Sequence, residues 1–204
     1  MKDSVRHFWL AVFLILGIGM LTIVFKPSVL KEKEVQAQGA QVTIGHAVVE
    51  NYYSPAVDLE NIDVQLLNQA TNSVYMSEYA LTDEKIADQL VKLANRHVNL
   101  YIYRDLRQYD GEVAKTNNQM VKFKGNPYIH IKVKHSSVLA HLKAYVVDYG
   151  LEGQVLREGS ANWSESGEQK QDNSLIIIRD KAAIETFYKN YQQIWNRFDN
   201  TVIQ

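Results

Sequence analysis

The stretch HLKAYVVDYGLEGQVLREGSANWS, residues 141–164, decides the reading of this chain. It sets His141, Lys143 and Asp148 within eight residues and follows them with Gly159-Ser160-Ala161-Asn162. From His141 onward the side chains suit a strand, in which they alternate between two faces. His141, Lys143 and Tyr145 then share one face, and Leu142, Ala144 and Val146 turn to a core. Asp148 falls at the strand end. Gly153 marks a turn, and a second strand over residues 154–159 returns antiparallel to the first, delivering Ser160 and Asn162 beside it. Together these groups suit attack on a phosphodiester: an imidazole to take up phosphorus, an ammonium to neutralise its oxygens, and hydroxyl and amide donors to hold them.

On these residues the chain resembles the phospholipase D superfamily, whose HKD signature has this H-x-K-x4-D form. It is most similar to the small bacterial endonucleases that carry a single such motif. The resemblance spans roughly residues 42–195. It implies that His141 is the nucleophile or the acid of a phosphohistidine mechanism. It also implies that Lys143, Ser160 and Asn162 bind the substrate phosphate and that Asp148 supports the catalytic group. Asp172 stands where the family often has a glutamate hydrogen-bonded to the histidine; the shorter side chain keeps the charge but reduces the reach. A chain with one motif must take its second histidine from a twin subunit, so the resemblance implies a homodimer sharing one active site.

The composition is consistent with this chemistry. Cysteine is absent, which excludes thiol catalysis and disulfides. The chain contains no HExxH zinc motif, no phosphate-binding GxxxxGK[ST] loop and no convincing GxGxxG. Apart from His141 the histidines are His7, His46, His97, His130 and His135. Nothing orients His130, His135 and His141 toward one zinc ion. A phosphohistidine route needs no metal, and neither metal nor cofactor is expected.

The formal net charge is −1, which does not by itself predict avid nucleic-acid binding. The charge is unevenly placed, however. Residues 113–147 contain no Asp or Glu but six lysines and three histidines. Within them, period 2 puts Tyr128, His130, Lys132 and Lys134 on one strand face. That face reads either as a cationic approach to the site, with Tyr128 free to stack on a base, or as a solvated edge whose lysines discourage aggregation. Anionic lipid head groups would be drawn by the same lysines. A nucleic-acid substrate is therefore expected first, with membrane phospholipid, through phospholipase or phosphatidyl-transferase chemistry, as the alternative. A membrane-tethered module that binds without catalysis is disfavoured by the intact motif.

Residues 8–25, FWLAVFLILGIGMLTIVF, carry no charge and are long enough as a helix to cross a hydrocarbon core. Residues 1–26 read as an uncleaved membrane anchor, with a signal segment as the alternative, and the catalytic domain is expected outside the cytoplasm. Residues 27–40 read as a polar linker and residues 41–204 as the catalytic domain.

In that domain strands are expected at 42–49, 73–80, 98–103, 128–134, 141–148, 154–159 and 173–178. Helices are expected at 58–70, from a Thr82 cap to about 95, near 111–122 and at 181–198. Strand–helix alternation followed by hairpins predicts an α/β sandwich with a mixed central sheet flanked by helices. Three readings complete the picture. Glu78 is taken as a surface or dimer-contact carboxylate, Trp163 as core, and Arg104 and Arg107 as residues past a strand end, on a solvated loop or near a ligand.

Overall fold

The structure is a computed structural model that describes residues 40–44 and 47–204, with side chains from Ala47 onward. Nine strands form one sheet: β1 (Ala40–Ile44), β2 (Ala47–Ser54), β3 (Ser73–Glu78), β4 (Asn99–Asp105), β5 (Ile129–Lys134), β6 (Lys143–Val147), β7 (Val155–Gly159), β8 (Asn173–Ile178) and β9 (Asn200–Val202). Their spatial order is β1-β2-β8-β7-β6-β3-β4-β5-β9. β3, β4 and β5 run parallel, and every other pairing is antiparallel. This is the mixed sheet that the alternation predicts.

Among the described residues five α-helices accompany it: α1 (Leu59–Asn68), α2 (Glu84–Asn95), α3 (Leu106–Val113), α4 (Glu165–Gln169) and α5 (Lys181–Trp195). Each begins where a short polar side chain accepts a backbone N–H of the first turn, from Asp58, Asp83, Asp105, Ser164 and Asp180 respectively. The cap of α2 is thus Asp83 and not its neighbour Thr82.

The sheet separates two cores. Val74, Met76, Leu100, Ile102, Ile129, Ile131, Tyr145 and Val147 pack beneath α1 and α2 with Leu59, Leu66, Ile86 and Leu90. The alternate positions Tyr103, Ala144, Val146 and Leu156 meet Ile184, Phe187, Tyr191 and Ile194 of α5. Strands buried on both faces read as apolar runs, which is why β6 is buried at all five positions.

Several boundaries differ from the sequence reading. The first strand is a pair, β1 and β2, joined antiparallel. The helix expected near 111–122 begins earlier, because Asp105 caps it directly off β4, and it is followed by a separate 3-10 turn at Gln119–Lys122 capped by Asn118. α5 ends at Trp195 rather than 198, with Asn196 as its cap. β6 begins at Lys143, so Leu142 is 41% exposed and does not enter the core. The apolar N-terminal segment and most of the expected linker lie outside the described residues. Among the described residues no helix is long and apolar enough to cross a membrane.

Candidate active site

β6 opens with Lys143 at one end and closes onto Asp148 at the other. Because β3 pairs with it antiparallel, Lys143 faces Glu78 and Val147 faces Val74. The β6–β7 ladder, continued one step past Ala144↔Glu158, brings Gly159 to the other flank of Lys143. The end of β7 therefore lies beside the lysine, as the hairpin predicts.

Lys143 is sunk into the fold at 5% exposure, whereas His141 is exposed. The Lys143 ammonium donates to the His141 carbonyl oxygen at 2.9 Å. The Tyr79 ring lies under both residues, 5.1 Å from Lys143 Nζ and 4.6 Å from the imidazole centre. The loop before His141 is pinned by Asp105, whose Oδ2 accepts the Ala140 N–H at 3.0 Å. Burial and the nearby Lys143 charge lower the His141 pKa, with Asp105 opposing them. A neutral imidazole at neutral pH is the form that can act as a nucleophile. Burial also lowers the Lys143 pKa, against the pull of Glu78.

Gly159 has a steric reason to be glycine: a Cβ there would collide with the Ser174 carbonyl oxygen of β8. Close approach of the two backbones lets Ser160 N donate to Ser174 O at 3.0 Å. The Ser160 hydroxyl donates to Asn173 Oδ1 at 2.9 Å and accepts the Ser174 N–H at 3.0 Å. Asn162 is held by its neighbours. Trp163 O accepts the N–H groups of Thr82 and Asp83, and Trp163 forms a bridge with Leu81 just past β3. The Asn162 Oδ1 is buried without a partner.

His141, Lys143, Ser160 and Asn162 thus belong to adjoining chain segments at one end of β6 and β7. Asp148 and Asp172 are placed otherwise. Asp148 is roughly 16 Å along the strand from Lys143. Its carboxylate accepts from Thr71 N and Oγ1, Asn72 N and Ser73 N at 2.7–3.0 Å. Burial raises its pKa, but these hydrogen bonds outweigh that and hold it below the usual carboxylate value. Asp172 is exposed and makes no side-chain hydrogen bond or ion pair among the described residues. Its neighbour Asn173 is the one that meets Ser160.

Beneath the site lies a polar layer that the sequence reading missed. Asp63 of α1 is fully buried and accepts four hydrogen bonds, from Tyr145 OH (2.7 Å), Arg157 Nε (3.0 Å), Arg157 Nη2 (2.7 Å) and Trp163 Nε1 (2.9 Å). Glu168 lies 3.5 Å from the same guanidinium, and its other oxygen has no partner. Arg104 is buried, not on a solvated loop, and pairs with Glu112 at 2.7 Å. Glu78 is 1% exposed with Oε1 unpartnered, so it is not the surface carboxylate that its sequence setting suggests. Burial, partly offset by Arg157, Arg104 and Lys143, pushes its pKa up to about 8. Burial and the neighbouring Asp63 carboxylate push Glu168 to about 10. One signal for Asp63 was available: it sits four residues after Leu59, on the inward stripe of α1.

No group of three or more His, Asp or Glu side chains among the described residues is placed to hold a metal ion. His130 instead stacks on Tyr101 at 4.8 Å, and His135 lies 3.4 Å from the Thr201 hydroxyl.

Comparison with known proteins places this geometry. The family model described as "Cardiolipin synthase, PLD-like domain" matches residues 64–195. A phospholipase D of Rickettsia prowazekii is 22% identical over 183 residues, 86% of this chain and 84% of that protein. The mitochondrial cardiolipin hydrolase of Xenopus laevis is 24% identical over 136 residues, covering 67% of this chain and 60% of that protein. Among solved structures, Nuc of Salmonella typhimurium, described as a phospholipase D family member, aligns with a TM-score of 0.65 at 21% identity. The alignment covers 78% of this chain and 99% of that one. NucT from Helicobacter pylori aligns at 0.62 and 19% identity, over 72% of this chain and 95% of that one. The nine-stranded mixed sheet with helices on both faces has the fold of these proteins. By its motif, its fold and a family match over well more than half its length, the chain belongs to the phospholipase D superfamily of phosphodiesterases.

Proposed function

We propose that the protein is a nuclease that cleaves DNA, RNA or both without a metal ion, through a phosphohistidine intermediate in a homodimer. The observation that carries this reading is the pairing of an exposed, neutral His141 with a sunken Lys143 over one tyrosine ring. In the first step His141 of one subunit bonds to phosphorus and the leaving oxygen departs, taking a proton from the second histidine. In the second step that histidine draws a proton from water, whose oxygen displaces the imidazole and frees the phosphate. Lys143, Ser160 and Asn162 hold the phosphate oxygens. Each chain brings one histidine, so two copies complete the acid–base pair.

Nucleic acid is favoured as substrate by the cleft beside His141. This cavity of about 130 Å³ has Tyr103 in its wall and Lys134 and Arg197 among its lining. The two cations suit a polyanion. The names Nuc and NucT, borne by structures whose fold this chain shares, support the same choice. Phospholipid is the second reading. It is favoured by Val138, Leu139 and Leu142, which flank His141 at 67%, 49% and 41% exposure, and by relatives named for phospholipase D and cardiolipin hydrolase activity.

The test is degradation of plasmid and single-stranded DNA and of RNA in excess EDTA, by the full chain and by residues 41–204, beside His141→Ala. The wild type should cleave nucleic acid. The variant should lose about 10²–10⁴-fold in rate with an unchanged melting temperature, because His141 is exposed. A folded wild type that leaves nucleic acid intact but hydrolyses cardiolipin vesicles would replace the first reading with the second. With the site at a dimer interface, a heterodimer of a His141→Ala chain and a Lys143→Ala chain has one histidine only and should not regain wild-type activity.

A further inference from the structure

We propose that Glu78 is a positioning residue that controls Lys143: as a neutral carboxyl it leaves the lysine charge free for a substrate phosphate, and as a carboxylate it draws that charge away. The inference rests on the phosphodiesterase reading of the site, in which Lys143 meets the phosphate.

The geometry begins with the sheet. Glu78 and Lys143 are cross-strand partners in the β3–β6 ladder. Both are at most 5% exposed, and no ion pair joins them within 4 Å among the described residues. Cross-strand partners have Cβ atoms about 5 Å apart, so a small rotamer change brings carboxylate and ammonium together. One Glu78 oxygen is sealed from solvent without a hydrogen-bond partner. A buried carboxylate in that position is costly, and the neutral acid is the form that such a site retains.

A charge count shows what the neutral form achieves. The groups facing Glu78 are Arg104 of β4, Lys143 of β6, Arg157 of β7 and Asp63 of α1, with Glu168 of α4 behind Arg157. Arg104 is matched by Glu112 and Arg157 by Asp63, each at 2.7 Å. With Glu78 and Glu168 both protonated, Lys143 is the one cation of the set without a counter-ion. It balances the single negative charge of a phosphodiester. Ionising Glu78 cancels that charge before any substrate arrives. The carboxyl loses its proton near pH 8, while the lowered His141 pKa keeps the imidazole neutral there. The alkaline limit of phosphate binding is then set by Glu78, not by the histidine.

The experiment uses the full chain and inorganic sulfate, whose charge is constant from about pH 7 to about pH 9.5. Calorimetry should show wild-type affinity falling about tenfold per pH unit above about pH 8. In Glu78→Gln the break should move to higher pH. A break at the same pH, or at lower pH because the carboxylate kept Lys143 protonated, overturns the proposal. So does a wild type that does not bind sulfate. In Lys143→Met the pH-dependent part should vanish; its survival would also overturn the proposal.

If Glu78→Gln fails to fold, carbon NMR of glutamate-labelled wild type gives the answer directly. Sulfate and the Glu78 proton must favour each other reciprocally, so saturating sulfate should raise the pH at which Glu78 titrates, and no shift would refute the coupling. A wild type that shows this coupling but cleaves no diester would leave the role of Glu78 standing and sink the phosphodiesterase reading alone.

Discussion

Asp63 and Arg157, 94 residues apart in the chain, meet in a two-point ion pair at 3.0 and 2.7 Å with neither side chain reaching solvent. The pair ties α1 to β7, and the next hydrogen bonds carry the connection to Tyr145 of β6 and to Trp163. The strand that supplies Lys143 and the segment that supplies Asn162 are therefore bolted to one carboxylate. Removing one partner leaves a buried charge uncompensated. Asp63→Ala should cost about 3–5 kcal/mol in urea unfolding.

Asp148→Asn tests the far end of β6. Asparagine tolerates the positive φ of this position but is a poorer acceptor for the Thr71, Asn72 and Ser73 donors. The variant should lose about 1–3 kcal/mol at neutral pH. The sign with pH follows from the lowered pKa. The carboxylate's contribution is complete above the unfolded value and is lost as pH falls through the folded one. Wild type and variant should therefore converge in acid, which a pH series of unfolding curves would show.

Glu168→Gln should act at the other end of the pH scale. Its folded pKa, near 10, lies far above the ordinary carboxylate value. The stability linked to its proton is complete in mild acid and drains away as pH rises through 10. The variant should match the wild type near pH 4 and melt at a higher temperature than it does above neutrality. Equal melting temperatures at all pH values would show that Glu168 is ionised in the fold.

Gly159→Ala probes the contact between β7 and β8. The added methyl collides with the Ser174 carbonyl oxygen, a backbone atom with no freedom to swing aside. The strands must part, at a cost of about 2–4 kcal/mol. Because Ser160 takes its bearings from Ser174 and Asn173, diester affinity should fall as well. Retained affinity in a folded variant would separate Ser160 from phosphate binding.

Much of the fold was legible where the physics is local. The alternating burial of Ile129–Lys134 is the period-2 pattern of its sequence made visible. α5 buries Ile184, Phe187, Tyr191 and Ile194 at helical spacing. The hairpin likewise showed that His141, Lys143, Ser160 and Asn162 would meet at the end of β6 and β7, whereas Asp148 and Asp172 lie elsewhere. Local pattern failed where partners are distant. A glutamate in an apolar strand looks like a surface residue until β3 is found between β4 and β6, flanked by Arg104 and Lys143. Arg157 and Asp63 look like ordinary charges until α1 is laid over β7. The short β9 has too few residues to show a period, and it exists because β5 offers it an edge.

The spacing between Lys143 and Asp148 acquires a different meaning from the place of each along β6. The motif residues do not converge; the four residues between them measure the breadth of the sheet, from a chemical edge to an anchored edge. Asp148 grips the start of β3 through Asn72 and Ser73, and five steps later the same ladder sets Lys143 opposite Glu78. A residue inserted into this ruler would leave every letter of the signature in place. It would nonetheless invert the parity of β6, turning the lysine toward α5 and setting an apolar side chain opposite Glu78.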